Sequence, residues 1–317
     1  MVFSNLQASM PFRRPFGDSA VRSRLFVPSG LIPGDVEVDC AELRNRGGEG
    51  AGLDCFLQFS CEVHSAKSAD PWWGAGEKMR RRLVLFGDSI TEQSFATGGW
   101  GAALADHFAR QADVVLRGFD GYNTRWALKV LDRAMEGAAA GGADPAAVTV
   151  FFGANDANLP DRSQGHQHVP LAEYQDNLRA ICAHFKNKWP SAAIILITPP
   201  PIYEPARIRH KYGDNDPSRQ PERTNEAAGT YAQACIAVAK ELDYPVIDIW
   251  TQMQKFPDWQ TSALCDGLHF TPFGNKILFD EVLKTLGSIG LSQHSLRSDL
   301  PLYHEIDPKD PLKAFEI

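Results

Sequence analysis

The chain has 317 residues, 44% hydrophobic and 22% charged, proportions that exclude a fully disordered, collagen-like or coiled-coil chain. Lys and Arg total 32 against 39 Asp and Glu, a net charge of −7, so the basic excess of a nucleic-acid surface is missing. No apolar run approaches the roughly 18 residues of a membrane span; the best candidate, Ala192 to Thr198, is strand-length and ends in three prolines.

Residues 1–78 differ from the rest of the chain. They carry Gly- and Arg-rich patches such as Arg44 to Gly52, and no helical or alternating period persists. The first 34 residues hold four arginines, five serines and one acidic residue, Asp18, a composition resembling a transit peptide without its amphipathic helix. Two readings stand: the segment is a disordered or targeting extension, or Met79 is the natural start, and both place the catalytic domain after residue 79. The pattern changes after Met79, where RRRLVLFGDS runs from a basic edge into a strand.

From there strand-like and helix-like segments alternate. Leu83 to Phe86 is a short apolar run ending at Gly87, as a buried parallel strand should. Trp100 to Arg110 is helical, Val114 to Leu116 a second strand, and Thr124 to Glu136 a helix with Trp126, Val130 and Ala134 on one face. Val148 to Phe152 is the third strand. Leu171, Tyr174, Leu178, Ile181 and Phe185 then recur at helical intervals. Ile194 to Ile197 is the fourth strand, Glu226 to Leu242 a helix, and Val246 to Ile249 the fifth strand. Thr271 caps a last helix with Pro272 at its first position, running to about Leu286. The proline-rich stretch 199–224 reads as a long connection shaping the pocket wall, one that could be shortened while sparing the reactive residues. The tail 288–317 reads as an irregular segment on or trailing from the surface.

This alternation gives an α/β fold whose parallel sheet is covered on both faces. Right-handed crossovers put the strand C-termini along one edge, where ligands bind. Removing 1–78 and 288–317 leaves 209 residues at 79–287, one catalytic domain rather than the two that about 150 residues per domain would suggest.

Conspicuous groups lie at that edge: Gly87-Asp88-Ser89 after the first strand, Gly118 to Thr124 after the second, Gly153-Ala154-Asn155-Asp156 after the third, and Asp266-Gly267-Leu268-His269 before the last helix. A serine hydroxyl is a weak nucleophile until a base takes its proton. His269 is the candidate base, and Asp266 can accept from its other ring nitrogen. The backbone N–H groups of Ser89 and Gly121 and the side-chain amide of Asn155 offer three donors to an oxyanion. Asp88 is expected to hold its loop by a hydrogen bond. Singly, each has a bland reading: Ser89 as a helix cap, Asp266 and His269 as a surface turn, Asn155 and Gly121 as turn residues. All four together in this order argue for chemistry.

The four groups resemble the blocks of the GDSL, or SGNH, hydrolase family. Gly87 to Ile90 matches its first block with isoleucine in place of leucine, Gly121 its second, Gly153 to Asp156 its third, and Asp266 to His269 its fifth. Within the family, RLVLFGDSITEQSF, GGWGAALAD and GYNTRWAL look most like isoamyl acetate-hydrolysing esterases and their plant relatives. The resemblance spans about 81–286. It implies a flavodoxin-like three-layer α/β/α sandwich with a five-stranded parallel sheet. It also implies a Ser89-His269-Asp266 triad, a Ser89/Gly121/Asn155 oxyanion hole, short acyl esters as substrates, and neither metal nor cofactor. Alternatives are an acyltransferase, a lipid or sugar O-acetyl esterase on the same site, and a non-catalytic binding module.

Phe16 to Ser19 repeats the first-block tripeptide without a preceding strand, which argues against a reactive Ser19. His166-Gln167-His168 lacks completing ligands for a metal site and reads as a solvated loop. Gly98 to Gly101 reads as the turn before a helix. The six cysteines, at 40, 55, 61, 182, 235 and 265, form no Cys-x-x-Cys pair and read as free thiols of a reducing compartment. The expected location is the cytoplasm, or a plastid if 1–78 is a transit peptide. The expected partner is a small ester, with no nucleic acid, no membrane span, and a homodimer left open.

Overall fold

The structure is a computed structural model that describes residues 80–139, 143–213 and 219–316. The expectations for residues 1–78, including Ser19, Cys40, Cys55 and Cys61, lie outside the described residues.

Five strands form one parallel sheet: β1 (Arg81–Gly87), β2 (Ala112–Gly118), β3 (Ala147–Phe151), β4 (Ala193–Ile197) and β5 (Val246–Ile247), in the order β2-β1-β3-β4-β5. This is the doubly wound order in which the chain switches sides between β1 and β3. The register aligns Gly118, Gly87, Phe151, Ile197 and Ile247 in one row. The loops that follow β1, β2 and β3 therefore leave the sheet at one level.

Alternation along each strand builds two cores. Leu83 and Leu85 of β1, with Ile195 and Ile197 of β4, face one side, against α2 (Trp100–His107), α7 (Ile249–Met253), the short α8 (Trp259–Ser262) and α9 (Pro272–Ser288). Val84, Phe86, Ile194 and Leu196 face the other, against α3 (Thr124–Ala134), α4 (Leu171–Lys188) and α6 (Asn225–Glu241). Phe86 packs edge-on against Phe152 and Phe185, with centroids 4.8 and 5.7 Å away. Cys182 and Cys235 are free and buried in this second core, and burial pushes both thiols up to about 12. Cys265 is free and exposed.

The expected elements appear within a few residues of their expected bounds, with three differences. The fifth strand stops at Ile247, because Asp248 accepts from the Thr251 N–H at 3.0 Å and starts α7 at Ile249. The stretch 199–224 is not loop throughout: α5 (Glu204–Tyr212) begins with Pro205 in its first turn and ends at Gly213, with φ of 78°. The tail contains two short 3₁₀ turns, Tyr303–Glu305 and Pro311–Phe315. It is tied down where Asp299 accepts from Arg80 Nε at 3.1 Å and Arg110 Nη2 donates to the Leu300 carbonyl at 2.9 Å. Among the described residues, no helix is long and apolar enough to cross a membrane.

Candidate active site

The short helix α1 (Ser89–Glu92) starts directly after β1. Asp88 caps it, its Oδ1 accepting from the Ile90 N–H at 3.1 Å, so the cap does not consume the serine hydroxyl. Ser89 is the first helical residue, and its backbone N–H has no acceptor inside the helix. Asp88 is fully buried, and its Oδ2 has no hydrogen-bond partner among the described residues. Burial pushes this carboxyl up to about 7, against the lowering effect of the Ile90 N–H.

Ser89 Oγ lies 3.0 Å from Nε2 of His269, a residue 180 positions away. Nδ1 of that ring lies 2.8 Å from Asp266 Oδ2. An ionised carboxylate only accepts, so Nδ1 carries the proton and Nε2 is left to accept from the serine. Asp266 Oδ1 takes the backbone N–H groups of Leu268 and His269 at 2.9 and 2.8 Å. Burial opposes ionisation of Asp266, but the hydrogen bonds and charge of His269, with Arg207 beside it, hold the carboxyl well below the usual range. The turn between them needs Gly267: its φ is 85°, and a Cβ there would stand 2.4 Å from the Tyr203 carbonyl oxygen.

The loop after β2 is tied to α1, where the Asp120 N–H donates to Glu92 Oε2 at 2.6 Å. Tyr122 N–H donates to the Phe119 carbonyl at 3.2 Å. Gly121 has φ of 73°, the left-handed conformation that the third position of a type II turn requires. Two neighbouring residues of the β3 loop grip this segment. Asn155 Nδ2 donates to the Tyr122 carbonyl at 2.9 Å, and buried Asp156 accepts from the Thr124 N–H at 3.0 Å. Burial pushes Asp156 up to about 7, against the bonds from Thr124. An amide has two N–H donors, so Asn155 keeps one beyond its bond to Tyr122.

The structure thus brings Ser89, Asp266 and His269 into one hydrogen-bonded row and sets Gly121 and Asn155 in loops joined to each other. A depression lined by Ile90, Gln93, Thr97, Phe270, Pro272 and Asn275 joins the segment after Ser89 to the segment after His269. Gly99 precedes α2 as expected, and its Trp100 N–H bonds Asn275 Oδ1 at 3.2 Å.

Four supporting residues escape the sequence reading. Gln167 is buried rather than solvated: its Nε2 donates to the Gly121 carbonyl at 2.8 Å, and its Oε1 accepts from Asn158 Nδ2 at 2.8 Å. His168 Nδ1 lies 2.7 Å from the Asn158 carbonyl, and His166 stacks near Trp126 with centroids 6.2 Å apart. From the stretch 199–224 come Arg207, Glu222 and Arg223, all buried. Arg207 Nη1 donates to Asp266 Oδ2 at 2.7 Å, and Arg223 Nη2 to Asn155 Oδ1 at 3.0 Å. The expectation that this stretch could be shortened while sparing the reactive residues is therefore corrected, since its Arg207 binds Asp266 of the hydrogen-bonded row. The Pro205 start and Gly213 stop were readable signals for α5; nothing local marks Arg207, rather than Arg209, as its buried arginine.

The family model for GDSL-like lipase/acylhydrolase matches residues 83–282. A GDSL esterase/lipase of Arabidopsis thaliana is 60% identical over 239 residues, 75% of this chain and 99% of that protein. The isoamyl acetate-hydrolyzing esterase 1 homolog of Rattus norvegicus is 44% identical over 220 residues, 69% of this chain and 83% of that protein. The crystal structure of a lipase/acylhydrolase from Enterococcus faecalis superposes with a TM-score of 0.52 at 25% identity, covering 70% of this chain and all of that one. Sequence blocks, sheet order and relatives agree: the chain belongs to the GDSL-like lipase/acylhydrolase family and is an ester-hydrolysing enzyme.

Proposed function

We propose that the enzyme hydrolyses short acyl esters through an acyl-enzyme on Ser89, with His269 as general base and acid and Asp266 as its partner. The observation that carries this reading is the row Ser89 Oγ–His269 Nε2 at 3.0 Å and His269 Nδ1–Asp266 Oδ2 at 2.8 Å. As Ser89 Oγ attacks the ester carbonyl carbon, its proton passes to Nε2. The ring becomes an imidazolium beside the ionised Asp266. The carbonyl oxygen takes up the negative charge and is met by the N–H groups of Ser89 and Gly121 and the second amide hydrogen of Asn155. Collapse breaks the bond to the alcohol, which leaves with the proton from Nε2. Water then repeats the sequence on the acyl-serine, releasing the acid and restoring the hydroxyl.

The mixed lining of the depression beside Ile90 and Phe270 suits a short acyl group. The net charge of −7 favours a neutral ester over a polyanion. Turnover of an activated acetate ester by Ser89→Ala tests the reading. Nearly all turnover should vanish with the fold preserved, and a fluorophosphonate should label wild type but not the variant. Near wild-type turnover by Ser89→Ala would sink the proposal. A panel of esters of increasing acyl length tests the substrate class: a preference for long chains would refute it.

A further inference from the structure

The stretch between β4 and α6 delivers three charged residues to the protein interior. Glu222 is 0% exposed, Arg223 3% and Arg207 6%. One carboxylate oxygen gathers them: Glu222 Oε1 accepts from Arg207 Nε at 3.0 Å, Arg207 Nη2 at 2.6 Å and Arg223 Nη1 at 3.1 Å. Arg207 continues to Asp266, while Arg223 donates from Nε to the Ala154 carbonyl at 3.2 Å and from Nη2 to Asn155 Oδ1 at 3.0 Å. The charges of Arg207, Arg223, Glu222 and Asp266 balance. Burying such a set is costly, and well-packed apolar residues commonly serve stability as well or better. Stability alone is a weak account of this network.

We propose that Arg223 is a positioning residue: it fixes which way the Asn155 amide faces, and so aims the amide N–H at the oxyanion.

The argument is one of donors and acceptors. A guanidinium donates and never accepts. It can face only the oxygen end of the Asn155 amide. At the other end, the Tyr122 carbonyl accepts and cannot donate, so it takes the nitrogen. A flipped amide would set N–H against N–H at Arg223 and oxygen against oxygen at Tyr122, losing both bonds. Asn155 is 4% exposed, so water does not stand in for them. Burial lowers the Arg223 guanidinium only to about 10, which leaves it charged at neutral pH. Glu222 and Arg207 fix the position of Arg223 in turn. The remaining Asn155 hydrogen is thereby committed before substrate arrives, which is what preorganised oxyanion stabilisation requires.

This inference rests on the proposed serine mechanism, and its test is separable from that of the mechanism. Turnover of an activated acetate ester is measured on the full chain for Arg223→Met, Arg223→Lys, Asn155→Ala and the two double variants. Because it acts through one oxyanion donor, Arg223→Met should lower kcat by about 100-fold with KM moved less than about threefold. In the Asn155→Ala background the same change should cost less than about threefold, because the group it positions is gone. Arg223→Lys, which keeps a donor, should recover about tenfold over the methionine variant. Glu222→Gln/Arg223→Met removes both charges and guards against a methionine variant that fails to fold. It should show the same kcat loss with thermal unfolding retained. Losses that multiply in the Asn155→Ala background, or a folded Glu222→Gln/Arg223→Met variant with wild-type kcat, would overturn the inference. Retained turnover by Ser89→Ala would instead refute the mechanism itself.

Discussion

Asp266 and His269 meet twice: Oδ1 takes the backbone N–H of His269 and Oδ2 faces its ring Nδ1, both at 2.8 Å. The same carboxylate therefore shapes the turn that presents the imidazole and sets the proton on that imidazole. An asparagine at this position keeps one acceptor but offers a donor where Nδ1 must donate. Asp266→Asn should lower kcat on an activated acetate ester by about 10³–10⁴-fold, with the fold retained by circular dichroism. A loss below tenfold would contradict the pairing.

Gly121 occupies a left-handed conformation, and an added Cβ would stand 3.2 Å from Gln167 Nε2. The backbone strain alone is about 1–2 kcal/mol for a residue with a side chain. Gly121→Ala should lower kcat more than it raises KM if the proposed Gly121 N–H donor acts on the transition state. Steady-state kinetics on one ester, with a melting curve, checks this.

Gln167 joins the Gly121 carbonyl to the Asn158 amide inside the protein. Gln167→Ala removes both bonds and leaves polar partners behind, at a cost of about 1–3 kcal/mol. The expected result is a melting temperature lower by several degrees and a reduced kcat. An unchanged melting temperature would show that the Gly121 loop holds itself.

Asp88 links pH to stability. Its folded-state carboxyl, raised to about 7, keeps a proton that the unfolded chain releases near pH 4. Stability is therefore lost as pH rises through that window. Asp266 works in the opposite sense, with stability lost as pH falls below the ordinary carboxylate range. Asp88→Asn keeps an oxygen for the Ile90 N–H and cannot ionise. Its stability relative to wild type should rise from pH 5 to pH 8, by at most about 3 kcal/mol. Thermal or urea melts at the two pH values measure it, and a pH-independent difference would refute the assignment.

Arg207 binds Glu222 and Asp266 from within the protein. Arg207→Met leaves two buried carboxylates short of a partner and should destabilise the fold by about 3–5 kcal/mol. Urea denaturation provides the number. A loss near zero would place these carboxylates in contact with solvent.

Much of this site was legible because chemistry and punctuation coincide in the sequence. Gly87-Asp88-Ser89 and Gly153 to Asp156 each follow a short apolar run, and the row of Gly87 with Phe151 shows why both loops emerge together. Thr271 and Pro272 announced α9, and the Thr271 hydroxyl does accept from the Gly274 N–H at 3.2 Å. The supporting network was not legible. Arg207 and Arg223 sit among prolines and other charges, a context that reads as solvated. Their partners Asp266 and Asn155 lie 59 and 68 residues away, so no local spacing reveals the pairing. Gln167 between two histidines misled for the same reason: its partner, the Gly121 carbonyl, is a backbone group without a residue signature. The early end of β5 turned on one side chain, since Asp248 serves as well for a strand end as for a helix cap.

The placement of Arg207 and Arg223 constrains how the enzyme can be redesigned. A segment packed against the Ser89-His269-Asp266 row is a natural cassette to exchange between esterases when a new substrate range is sought. Here that cassette also holds the fasteners of Asp266 and Asn155. A graft that discards positions 207, 222 and 223 should yield a weak catalyst whatever ester it admits, while diversification confined to the exposed positions of α5 leaves the fasteners in place.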